Sequence, residues 1–67
     1  MKVGIVCDNY KVNKFMELLD GYVKLNKPFS GKETSIFVYC EQHQIEKISN
    51  ICKEVEGFYR EIKSKKN

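Results

Sequence analysis

The sequence predicts an α+β fold, a two-layer sandwich in the order βαββα with a three-stranded sheet and both helices on one face. Three observations lead there. The runs "KVGIVC" and "TSIFVYC" are apolar on both faces, the most apolar stretches of the chain and a pattern expected of central strands. Two other stretches repeat apolar residues at helical spacing. Gly21 and the stretch "PFSGKE" supply the turn chemistry that separates the pieces.

Each element has its own local reason. "KVGIVC", residues 2–7, reads as a central strand, and "DN" at Asp8 and Asn9 as the N-cap of the first helix. Val12, Phe15, Met16 and Leu19 then follow the i, i+3, i+4, i+7 pattern of an amphipathic helix. Gly21 ends it, because glycine adopts the left-handed conformation after a helix cap without a Cβ clash. "YVKLNK", Tyr22 to Lys27, alternates as a half-solvated strand, with Val23 and Leu25 expected inward and Tyr22, Lys24 and Asn26 outward. Pro28 interrupts the ladder, and Thr34 to Cys40 form the third strand. From about Gln42 onward, Ile45, Ile48, Cys52, Val55, Tyr59 and Ile62 fall at steps of three and four, with Ile51 and Phe58 widening the stripe into a long helix.

A right-handed crossover brings strand two parallel to strand one, and strand three fits between them, antiparallel to both. This is the split β-α-β arrangement, half of a ferredoxin-like fold. Val12, Phe15, Met16, Leu19, Ile45, Ile48, Cys52 and Val55 are then expected to pack on Val3, Ile5, Val23, Leu25, Ile36 and Val38.

With 67 residues the chain is one domain, read as 1–62 with a basic tail at 63–67. A domain this small buries only about 60% of the surface its unfolded chain exposes. At 42% hydrophobic and 31% charged it is too apolar for a disordered chain. Its apolar runs fall short of the roughly 20 residues that cross a bilayer, and the stretch in "MKVGIVCDNYK" is too short for a secretory signal. The expected location is therefore cytoplasmic, with no membrane partner. Of the net charge of +3, Lys63, Lys65 and Lys66 supply all; without them nine basic residues face nine acidic ones. The basicity is terminal, and reads as a solvated end rather than a nucleic-acid-binding face.

The sheet raises a question of coverage. Strand parity sends Ile36, Val38 and Cys40 to one side and Phe37 and Tyr39 to the other. That second side is expected to carry Val6, Tyr22, Lys24, Phe37 and Tyr39 with small Gly4 and Ser35, and no segment remains to cover it. Helix two adds to this, since residues 43–62 span about 30 Å while a seven-residue strand spans about 23 Å. Phe58, Tyr59 and Ile62 lie on the overhang beside Gly57. Either helix one or the loop at Phe29 caps them, or a second subunit does, most often in a two-fold dimer. The open edge of strand one offers such a partner a place to pair.

Catalytic chemistry is not expected. Asp8 follows strand one, where many α/β enzymes place a base, but the single histidine, His43, follows strand three at the opposite end of the sheet. Asn9, Lys11 and Lys14 form a weak anion-binding expectation at the start of helix one, lacking the glycines that wrap phosphate. Cys7, Cys40 and Cys52 lack paired spacing and fall in apolar contexts, so they read as small core residues rather than disulfides or metal ligands. Cys7 near a helix start is a thiolate candidate, set aside because its parity groups it with Val3 and Ile5. No metal or cofactor is expected.

Phe37 and Tyr39 at alternate positions resemble the stacking aromatics of RNA recognition motifs. The chain departs from that family at Gly4 and Val6, where a second stacking aromatic belongs, and it lacks a fourth strand. "MKVGIVCDNYKVNKF" and "QIEKISNICKEVEGFYR" resemble very short bacteriophage and prophage proteins of βαββα pattern, over most of the chain. That resemblance implies context rather than an activity: such proteins occupy a host protein or sequester a small molecule. The expected function is a non-catalytic binding protein, self-associating through the open sheet face and the long helix. Two alternatives are single-stranded nucleic-acid binding through Phe37 and Tyr39, and a ligand-sequestering oligomer with its pocket between subunits.

Overall fold

The computed structural model describes residues 1–65. Strand β1 spans Lys2–Asp8, helix α1 Val12–Leu18, strand β2 Val23–Pro28, strand β3 Glu33–Tyr39 and helix α2 Ile45–Lys65. Short 3₁₀ turns at Asn9–Lys11 and Gln42–Gln44 lead into the two helices. The sheet order is β1-β3-β2, with β3 antiparallel to both neighbours. Both helices lie on one side, so the α+β arrangement read from the periodicities is the one the chain adopts.

The core is the layer between them. Ile5, Cys7, Ile36, Val38 and Cys40 from the sheet meet Phe15 and Leu19 from the first helical segment and Ile48 and Val55 from α2. Leu19, Ile36, Val38 and Val55 are wholly removed from water. Each such aliphatic contributes about 1.5–3 kcal/mol by burial, a large share in a domain of this size. Gly21, at φ +91°, turns the chain out of α1, and Tyr22 N–H closes that turn on Leu19 O at 3.1 Å.

Strand β2 has the opposite parity to the one expected. Val23 stands across from Tyr39 and Leu25 from Phe37, so both belong to the open face. Tyr22 packs against the core, and Lys24 turns to the helix side. The reason lies at the end of α1. Lys24 Nζ donates to Leu19 O, just past the end of α1, and to Tyr22 O in the turn that follows, both at 3.1 Å, near a helix C-terminus that favours a cation. The apolar side of this outer strand therefore faces solvent.

Other local expectations also shift. Neither Asp8 nor Asn9 makes a side-chain cap bond among the described residues. Asn9 instead ties the end of β1 to the β2–β3 hairpin: Nδ2 donates to Gly31 O at 3.2 Å, and Oδ1 accepts from the Thr34 hydroxyl at 2.6 Å. At the second helix the Gln44 side-chain oxygen accepts Glu41 N–H at 2.9 Å, half of a capping box. Ile45 remains at the solvent margin rather than in the core. Helix α2 continues to Lys65, past the boundary placed at Ile62, so the 63–67 tail is helical at least that far; Lys66 and Asn67 lie outside the described residues.

Candidate functional site

The open side of the sheet is built in cross-strand rows. Lys2, Tyr39 and Val23 form one row, Gly4, Phe37 and Leu25 the next, Val6, Ser35 and Lys27 a third, and Asp8 with Glu33 closes the end. No described segment lies over them: Val6 is 49% exposed, Val23 70%, Leu25 48% and Tyr39 45%. The result is a contiguous apolar patch on the order of a few hundred Å², about the size of the largest such patch on a soluble monomer.

Phe37 is its centre, and its ring leans over β1 beside Gly4: a Cβ at Gly4 would stand 3.5 Å from that ring, an ordinary van der Waals contact. Two lysines border the ring, Lys2 Nζ at 5.1 Å and Lys27 Nζ at 6.0 Å from its centroid, within cation–π range. These are the cations of the face. Lys24, expected in that role, is on the other side of the sheet. Tyr22 leaves the candidate surface for the same reason, and Val23 and Leu25 take their places.

The far half of α2 is held mainly within the chain. Tyr59 stacks edge-on against Tyr10 with centroids 5.2 Å apart, and its hydroxyl donates to Tyr10 O at 3.1 Å. Phe58 lies under Lys14 Nζ, 4.4 Å from the ring centroid. Lys11 joins the same cluster through Glu56 Oε1 at 3.3 Å and Asp8 at 3.9 Å. Residues before and within helix one therefore cap Tyr59 and partly cover Phe58, whereas Ile62 and Phe29 stay exposed. A Cβ added at Gly57 would meet nothing within 4 Å beyond its own helix backbone and chain neighbours.

The anion-binding set does not converge. Asn9 is committed to the hairpin, Lys11 to Glu56 and Asp8, and Lys14 to Glu17 at 3.6 Å and to Phe58. Burial works against the charge of Lys11, yet its hydrogen bond to Glu56 and the nearby carboxylates outweigh that and push its pKa up. Cys7 and Cys40 are buried. Burial, reinforced by Asp8, pushes the Cys7 thiol up, and burial with Glu56 does the same to the half-buried Cys52. A raised pKa is the opposite of what activates a nucleophilic thiol. Among the described residues no group of three or more His, Cys, Asp or Glu side chains could hold a metal ion. No helix there is long and apolar enough to cross a membrane.

A cleft of about 520 Å³ lies between the start of α1 and the hairpin and is lined in part by Asn9, Asn13, Asn26, Pro28, Ser30 and Thr34. Val12, Lys27 and Glu33 complete its lining, so amides and hydroxyls there mix with apolar and charged side chains. Compared with protein-family models, curated proteins and solved structures, the chain matches none.

Proposed function

We propose that this is a non-catalytic, self-associating binding protein of the cytoplasm whose working surface is the open face of its sheet. The observation that supports the reading most is the register of β2. It adds Val23 and Leu25 to Val6, Phe37 and Tyr39, giving a flat apolar surface with a cationic border. Flat aliphatic and aromatic surface with few charges at its centre fits another protein better than a small solute. The phage-like sequence context makes a host protein the partner of choice. The C-terminal helix contributes less than its length suggested, because Tyr59 is already occupied within the chain.

The experiment compares retention of host proteins by the wild type and by Leu25→Glu and Tyr39→Ser variants, with circular dichroism confirming that each stays folded. Partners retained by the wild type and lost by both variants support the face. Equal retention rejects it.

Single-stranded nucleic acid is a second reading, favoured by Lys2 and Lys27 beside Phe37. Titrating a thymidine oligonucleotide at rising salt separates the two. A phosphate-driven complex weakens steeply with salt; an affinity that is negligible, or that holds as salt rises, leaves the protein-binding reading in place.

A further inference from the structure

The two edges of the sheet differ in how they are guarded. Cys40 N–H bonds Met1 O and Asn9 N–H bonds Lys32 O, each at 2.9 Å, so the odd-numbered residues of β1 face β3 and Lys2, Gly4 and Val6 turn their backbone groups outward. On β2, Phe29 N–H to Glu33 O at 3.1 Å sets the outward residues as Lys24, Asn26 and Pro28. Pro28 offers no N–H, and Lys24 is a charge pointed inward. Both are devices that blunt a sheet edge against pairing.

Strand β1 has neither. Its register with β3 runs unbroken from Lys2 to Asp8, and its charges stand only at the two ends. The strand is also complementary to itself. A second copy laid antiparallel must pair outward residues with outward residues, and the two-fold axes that then keep most of the strand paired lie at Gly4, Ile5 or Val6. An axis at Gly4 sets Lys2 against Val6, and one at Val6 sets Asp8 against Gly4. With the axis at Ile5 all seven residues pair, and Lys2 of each copy stands opposite Asp8 of the other.

We propose that two copies of this chain join edge to edge through β1, antiparallel about an axis at Ile5. The three strands of each copy then form one continuous sheet of six. Gly4 and Val6 exchange the backbone bonds that each copy leaves open. Opposed residues share a face, so both apolar surfaces end on the same side and stay free for a further partner. This deepens the reading above and rests on its self-association.

Equilibrium sedimentation of the full chain across the micromolar range tests it. The wild type is expected to be a dimer. Val6→Pro removes an outward N–H without touching the ladder to β3, and is expected to be monomeric with a cooperative melt. Asn26→Pro, the matching change on β2, is expected to remain a dimer. Lys2→Glu is expected to weaken the dimer roughly tenfold by placing like charges opposite each other twice, and Lys2→Glu with Asp8→Lys to recover most of that loss. Should Val6→Pro fail to fold, the charge exchange decides. A wild-type dimer untouched by Val6→Pro, or without recovery in the exchanged pair, overturns the β1 interface and leaves self-association standing. A wild-type monomer at high micromolar concentration overturns both.

Discussion

Replacing Val23 and Leu25 together by threonine separates the observed register of β2 from its alternative. In the structure Val23 is 70% exposed and Leu25 48%. Full burial of such a side chain contributes about 1.5–3 kcal/mol, so roughly a third of that is at stake for valine and half for leucine. Threonine keeps the shape of valine and suits a strand, so the pair is expected to cost about 1 kcal/mol. Were both side chains directed at the helices, the leucine change alone would cost about 2–5 kcal/mol and each buried hydroxyl about 1–3 more. A chain of 67 residues has only about 3–10 kcal/mol of stability in total, so that variant would not fold. Urea unfolding followed by far-ultraviolet circular dichroism, at a concentration too low for association, reads the difference. Loss of the cooperative transition would refute the assignment of these residues to the open face.

Four further outcomes follow from particular contacts. Lys24→Ala removes both bonds to the turn that follows α1 and is expected to cost about 1 kcal/mol, read by the same unfolding curve; no loss would mean that the ammonium prefers water. Leu19→Ala opens a cavity beneath a fully buried side chain and is expected to cost about 2–5 kcal/mol, leaving the chain close to unfolded at 25 °C. Among the thiols, Cys52 should alkylate first, with Cys7 and Cys40 following only on unfolding, as mass spectrometry of peptides can show. Because burial raises the Cys7 and Cys52 pKa values in the folded state, the unfolded chain ionises first. Stability is therefore unaffected well below the ordinary thiol pKa of about 8.5 and falls as pH rises through it. A rise in stability there would contradict their burial.

Much of the fold was legible because local periodicity and global packing agree. The stripe from Ile48 to Val55, the two-faced apolar strands and the turn at Gly21 each specify their element without knowledge of the rest. What escaped depends on long-range partners. "YVKLNK" alternates equally well in either parity, and ordinary burial preference favours Val23 and Leu25 inside. The deciding facts are the short turn from Leu19 to Tyr22 and the carbonyls of that turn that accept from Lys24. The spacing from Gly21 to Val23 is visible in the sequence, but its effect on parity needs the turn geometry.

Asn9 was misread for a similar reason. Its residue type suits an N-cap, and only the approach of the hairpin, with Gly31 O and Thr34 at hand, gives it better partners. Tyr10 and Lys11 lie outside any apolar stripe, so nothing local marked them as the cover for Tyr59. The open face itself was visible from strand three alone, because five segments cannot shield both sides of a sheet.

Methyl spectra of the dilute protein in the presence of a soluble paramagnetic agent address the exposed face most directly. Signals of Val6, Val23 and Leu25 are expected to broaden strongly, while those of Leu19, Ile36, Val38 and Val55 stay sharp. Protection of Val23 and Leu25 equal to that of Ile36 and Val38 would contradict the account.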